Sequence, residues 1–435
     1  MCLKNLLGTS DVSMEGGSEL QQLAADTNES NSIKRLLMGI IVLLAPIANL
    51  IDNYLGVSRS NILIVMLIPI LGLVLLHAFQ NHFSFRIDKL FLYALLNIGY
   101  IVGISIIGTP SATRIIQFST MCLVLFTIKS FNVKTSDLVY LRKIVNNVVV
   151  INLLIFPFHI NSVFKFGGIF DNPNSLGWIC LCAVYFTQIT KETIKEKHYH
   201  FLIAVIFATV FISGARASLL ACIFLFMSFI IFERKNNTVR LRMYVCFGIV
   251  VAASVLIIDY LPNITQYPIG RTIDQLSLKY FNKSINSGRH YIWSEMASLS
   301  KQNPIFGLGL STSYSSVNIR DGRSCHNLFL QTIVQSGYLG LSLLILFLFK
   351  IYQRILSNLN PRTVFTACFI LSILIHEMFE VSLTQNNWDQ GLVFWLIMGI
   401  GLSENTIDES THSHKHAAGN ILKKKTDIIS GNEAI

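Results

Sequence analysis

Arg289 opens a stretch with the pattern of a capped amphipathic helix, Ser287-Gly-Arg-His-Tyr-Ile-Trp-Ser-Glu-Met-Ala-Ser-Leu. Ser287 is its expected cap, and Ile292, Met296 and Leu299 share one face. A helix start offers unpaired N–H groups and a positive dipole end, so an arginine there makes an anion site, best suited to phosphate. The plainer alternative is a solvated surface charge. His326, in Ser324-Cys-His-Asn-Leu, sits near a second expected helix start, which Ser324 is placed to cap. Its ring suits a general base for a sugar hydroxyl, the alternative being a structural, hydrogen-bonded histidine. Cys325 beside it is not its nucleophile, because neighbours on a helix point about 100° apart.

Arg216 lies in Phe211-Ile-Ser-Gly-Ala-Arg-Ala-Ser-Leu-Leu, between apolar runs too close together for a real loop. Taken alone it reads as an anchor snorkelling to a membrane surface. His376, Glu377 and Glu380 cluster near the end of another apolar run. Ionisable groups there are costly, and they are candidates to steady an arginine, bind hydroxyls or relay protons; a pair satisfied by a neighbouring span is the alternative. Asp171-Asn-Pro-Asn174 reads first as a turn and helix cap. No zinc spacing, Asp-x-Asp in an outer segment, or glycine-rich nucleotide loop is present.

The elements that must position these residues are apolar. Of 435 residues, 52% are hydrophobic and 13% charged, against about 25% charged in soluble domains. Charges punctuate long apolar runs, the pattern of spanning helices. Twelve spans are expected, at 35–51, 60–79, 88–107, 113–129, 140–159, 175–190, 201–213, 217–232, 239–258, 328–349, 363–380 and 388–402, the last being the weakest. The fold class is therefore all-α: a polytopic integral membrane protein with one large helical extracytoplasmic loop. With the N-terminus inside, the short inner segments carry eighteen Lys and Arg residues. The short outer ones carry four, Arg59, Arg114, Lys165 and Arg216. That bias obeys the positive-inside rule and accounts for most of the net charge of +10 without nucleic acid. Residues 1–33 are expected to be a disordered cytoplasmic tail, 34–402 a single membrane domain that includes the outer loop 259–327, and 403–435 a second cytoplasmic tail. Most of the eight cysteines lie in apolar runs as small hydrophobes.

Four passages together resemble the O-antigen ligase and polymerase family of bacterial membrane glycosyltransferases. They are Gly168-Ile-Phe-Asp-Asn-Pro-Asn-Ser-Leu-Gly177, Ser213-Gly-Ala-Arg-Ala-Ser-Leu-Leu220, Gly288-Arg-His-Tyr-Ile-Trp293 with Pro304-Ile-Phe-Gly-Leu-Gly309, and His326-Asn-Leu-Phe-Leu-Gln-Thr-Ile-Val-Gln-Ser-Gly-Tyr-Leu-Gly340. The likeness runs over roughly 160–400. It implies glycan donors on undecaprenyl diphosphate, no metal, cofactor or nucleotide sugar, and a site facing the periplasm or exterior of the cytoplasmic membrane. By motif, Arg216 and Arg289 fall where the family's arginines grip the diphosphate, and His326 where its histidine acts on the acceptor. The family's common Ser-x-Ser-Arg-Gly start reads Ser213-Gly-Ala-Arg216-Ala217 here, a departure beside the arginine. Arg320, Arg323, Glu377, Glu380 and Asn174 are the expected further substrate contacts. The implied partners are the undecaprenyl-diphosphate-linked oligosaccharide, membrane lipid, and polysaccharide assembly and export proteins.

Polymerase is preferred over ligase, which shares donor and leaving group and differs in acceptor. A transporter or flippase would explain the spans and the His376 cluster, but not a long outer loop with capped helices, and no repeated halves are found. A non-catalytic partner in glycan export is the third reading. In that case Arg216, Arg289 and His326 would be individually replaceable.

Overall fold

A computed structural model describes residues 30–44, 47, 59–80, 88–162, 165–170, 172–232, 237–281, 284, 289–314, 325–385 and 388–403. Ser287, Arg320, Arg323, Ser324 and the segment after 403 lie outside these residues. The first helix, 30–44, opens inside the stretch read as a tail.

Where described, the twelve apolar runs fall on helices, 35–51 being described only at 35–44 and 47, and 363–380 being helical as far as His376. Five helices are long and apolar enough to cross a membrane: Lys89–Ile107, Ala112–Ser130, Thr135–His159, Thr238–Leu256 and Leu328–Ile355. Arg216–Phe232 and Pro361–His376 are shorter apolar helices. At about 1.5 Å per residue, a 16-residue helix spans roughly 24 Å, less than the ~30 Å hydrocarbon core. The protein is an integral membrane protein of helical architecture.

Three of the shorter apolar helices are the most central. Leu176–Phe186, Phe365–Leu374 and Leu392–Met398 are almost wholly inaccessible, as expected of helices that are apolar all round. The segment 388–403, which opens with the polar stretch Trp388-Asp-Gln, is a core helix packed through Trp395 against Phe118 and Phe347.

Basic residues gather at one end of the bundle. Lys34 and Arg35 both pair with Asp137 at the start of Thr135–Ile155, and Arg362 Nη2 donates to Thr135 Oγ1 at 2.6 Å. Pro361–His376 runs from that end, where Asn360 and Thr363 form a capping box, to the opposite end, where the chain turns through Glu377 to Glu380.

The region 259–327 is largely helical where described. After Leu261–Gln266 comes Pro268–Phe281, then Arg289–Ser300. Arg289–Ser300 buries Ile292 and Met296 and packs Leu299 against the core, the expected face. The turn through Pro304 and Gly309 then docks onto a break in Leu328–Ile355. Gly337 there has φ 68°, and a Cβ would lie 2.0 Å from the Ile305 carbonyl. The amides of Tyr338 and Leu339 donate to the carbonyls of Pro304 and Ile305, and those of Leu308 and Gly309 donate to Val334 and Gln335. These two motifs serve each other, because each satisfies backbone groups the other leaves unpaired.

Two expectations are corrected. The helix after His326 starts at Leu328 and is capped by Asn327, whose Oδ1 accepts from the Leu330 amide at 2.9 Å, not by Ser324. An asparagine directly before the first helical residue meets the N3 amide, a position Ser324 is too far upstream to occupy. The span expected at 363–380 ends as a helix at His376, so Glu377 and Glu380 lie in the following turn.

Candidate active site

The last turn of Glu196–Ser213 ends on Gly214, with φ 68°. The Ala215 amide donates to Ser213 Oγ at 3.1 Å, and a new helix begins at once with Arg216. Gly177 lets the helix Pro173–Ile189 press onto this corner, since a Cβ there would sit 2.4 Å from that of Ala215. Asn174, one turn earlier, is thereby held on the same side as Arg216. Asn172 caps its own helix as expected, its Oδ1 accepting from the Asn174 amide at 2.9 Å.

Arg289 starts the buried-faced helix Arg289–Ser300. From that helix Trp293 Nε1 donates to the Cys325 carbonyl at 2.9 Å, fixing the strand of chain that bears His326. His326 has φ 50°, the left-handed region that non-glycine residues seldom adopt. Its neighbours hold it there: Cys325 is buried, Asn327 caps the next helix, and the Leu328 amide donates to the Glu377 carbonyl at 2.9 Å. Burial pushes the Cys325 thiol up to about 12, so it is inert beside the histidine.

That last backbone bond brings the 377–380 turn against His326, and Glu380 becomes the hub. Its Oε1 accepts from Asn174 Nδ2 at 2.7 Å and from Arg289 Nη2 at 3.1 Å, and its Oε2 meets His326 Nδ1 at 2.9 Å. Arg289 Nη1 also donates to the Phe379 carbonyl at 2.7 Å. Burial alone would raise the Glu380 carboxyl, but facing His326 and Arg289 it is held down at about 2, and it is a carboxylate throughout the neutral range.

Glu377 has a different place. It is fully buried, its Oε2 accepts from the Ser382 and Leu383 amides at 2.7 and 3.1 Å, and its Oε1 meets His376 Nδ1 at 3.2 Å. It ties down the turn and does not line the cavity.

Arg216, Asn174, Arg289, His326 and Glu380 all border one cavity of about 780 Å³, with Leu219, Leu220, Ile223, Ile273, Leu276 and Tyr280 as its apolar wall. Arg216 Nη1 donates to Ser277 Oγ at 3.0 Å and Nη2 to the Ser284 carbonyl at 2.8 Å, while Ser284 Oγ donates to Asp274 at 2.8 Å. Arg216 and Arg289 are near enough to repel each other. Two converging guanidiniums, one acid-shared histidine and a long apolar wall suit a ligand with an anionic head, a hydroxyl to deprotonate and a greasy tail.

The three principal residues expected from sequence therefore meet at one site, as do Asn174 and Glu380. Sequence reasoning missed Pro268–Phe281, which supplies Ser277 and half of the apolar wall. Its signal was present: Pro268 at the first position and apolar residues at 269, 273, 276 and 280.

No curated protein matches the chain. A family model does, over a narrower stretch than the 160–400 read from motifs, leaving the Gly168–Gly177 passage and Glu380 outside it. Residues 201–345, with Arg216, Arg289 and His326 among them, match the family model described as O-antigen ligase.

Proposed function

We propose that the protein polymerises surface polysaccharide by metal-independent, inverting transfer of glycan from undecaprenyl diphosphate to a sugar hydroxyl, at the outer face of the cytoplasmic membrane. The observation that carries this reading is the sharing of Glu380 between Arg289 and His326 at the edge of a cavity that Arg216 also borders. The site lies at the end of Pro361–His376 opposite the Lys34/Arg35/Arg362 cluster. The positive-inside rule supports reading that end as the outer one.

In this mechanism His326 takes the acceptor proton. With Nδ1 turned to Glu380, Nε2 is the ring atom that receives it, and the carboxylate supports the imidazolium that forms. The acceptor oxygen attacks the anomeric carbon as the bond to the diphosphate breaks, and the electron pair leaves on the phosphate oxygen. Arg289 and Arg216 stabilise that charge in a partly desolvated setting. The lipid tail lies along Leu219, Leu220, Ile223 and Leu276. Asn174 fixes the Glu380 carboxylate. Arg320 and Arg323 are further phosphate contacts in this reading.

The test is purified protein in lipid with an undecaprenyl-diphosphate oligosaccharide, scoring free undecaprenyl diphosphate and product length. A ladder of longer lipid-linked glycans is the expected result. Release only after a second acceptor is supplied would make the protein a ligase. No release from any native glycan donor would sink the transfer reading in favour of transport or a non-catalytic role in glycan export.

Arg289→Lys is expected to lower transfer about 10–100-fold. An ammonium is a point charge and cannot hold the Phe379 carbonyl, Glu380 and a phosphate at once through a planar fork. Wild-type turnover in that variant would remove Arg289 from the mechanism.

A further inference from the structure

Arg114 has no part in the site above, and the sequence reading assigned it nothing beyond topology. It lies in the first turn of Ala112–Ser130, just after the 108–111 bend that joins two candidate spans. Its Nη1 is shut off from solvent and has no hydrogen-bond partner among the described residues. A cavity of about 50 Å³ opens beside it, walled by Asn97, Tyr100, Gln335, Ser336 and Gln385 among others, and no carboxylate lines it.

The wall's own polar groups are engaged elsewhere. Asn97 Nδ2 donates to the carbonyls of Tyr93 and Leu343, Tyr100 Oη donates to the Ser336 carbonyl, and the Gln335 and Gln385 amides pair with each other. Arg114 is only partly exposed, and the buried Nη1 end of its guanidinium faces no carboxylate in the cavity wall; an orphaned buried donor calls for a ligand or water. The helix start adds to the positive field, because Ser111 makes no side-chain cap. The volume exceeds the ~10–15 Å³ that one water needs, and is far below that of a sugar chain. The cavity adjoins the bend between two candidate spans, Lys89–Ile107 and Ala112–Ser130, and the end of a span is where lipid headgroups are met.

We propose that this cavity is a second anion site, which takes a phosphate oxyanion on Arg114, either as the phosphate of a lipid headgroup or as free phosphate.

The test is thermal unfolding of the full-length protein in a maltoside detergent, which carries no phosphate. Inorganic phosphate and short-chain phosphatidylglycerol are titrated separately, with sodium chloride matching ionic strength. A saturable rise of a few degrees in wild type that is lost in Arg114→Gln is the expected result. A rise with phosphatidylglycerol alone identifies a headgroup, and a rise with inorganic phosphate identifies the free ion. Phosphate held at the Arg216/Arg289 cavity would raise both proteins alike, so the difference between them is the readout. No rise in wild type with either compound, or equal rises in both proteins, overturns the proposal. If Arg114→Gln yields no folded protein, Arg114→Lys decides: about tenfold weaker half-saturation supports the site, and unchanged half-saturation overturns it.

Discussion

His326→Ala is expected to end transfer, with release of undecaprenyl diphosphate falling by at least about 10²–10⁴-fold, the usual contribution of a positioned general base. The protein should still reach the membrane at wild-type level. The His326 side chain is on the cavity edge and half-buried, and its backbone is held by bonds that do not pass through the ring: Trp293 to the Cys325 carbonyl and Leu328 to the Glu377 carbonyl. Donor binding should change little, since Arg216 and Arg289 remain. Equilibrium binding of the lipid-linked donor, measured beside turnover, separates the two. Full turnover in this variant would leave His326 a structural residue and the proton without an acceptor.

Glu380→Gln is the second large effect expected, and it should touch both halves of the reaction. One carboxylate accepts from Asn174, Arg289 and His326. An amide of the same shape carries no charge and turns an NH₂ group toward donors. Turnover should fall about 10²–10³-fold and donor affinity should weaken as well, unlike in His326→Ala. Combined with Arg289→Lys, the losses should be clearly less than additive, because both changes cut the same link. Additive losses would make Glu380 a residue of general packing.

The pH sense of the second effect is fixed by the direction of the shift. The folded-state carboxyl titrates at about 2 against an ordinary 4.5, so its stabilising effect is complete above about pH 4.5 and disappears as pH falls towards 2. The stability gap between wild type and Glu380→Gln, followed by thermal unfolding, should narrow below about pH 4.5 and close in strong acid. A gap that closes near pH 6 would contradict the pairing.

Much of the molecule could be read from its residues. Apolar runs of fixed length translate directly into helices, so each run lands on one where it is described. Hydropathy cannot tell a lipid-facing helix from a central one, so the importance of 388–403 was invisible. Arg216, Arg289 and His326 were legible because each stands at a helix start or a tight corner, where side-chain chemistry is released from packing. Glu380 was legible only as a costly charge. Its partners come from positions up to 206 residues away, and no local pattern carries that distance. The misplaced cap has a similar cause. Ser324 and Asn327 are both good caps, and what decides between them is the left-handed turn at His326, which a sequence gives no reason to expect.

The Arg289–Glu380 pair also sets a timetable for biosynthesis. The two residues are 91 apart in the chain, and synthesis proceeds at about 5–20 residues per second, so the acid follows the base by roughly 5–18 s. Throughout that interval the loop bearing Arg289 already exists while the helix that delivers its counter-charge does not. The site is thus completed only by the turn after Pro361–His376, and a nascent chain halted before it carries Arg289 without Glu380.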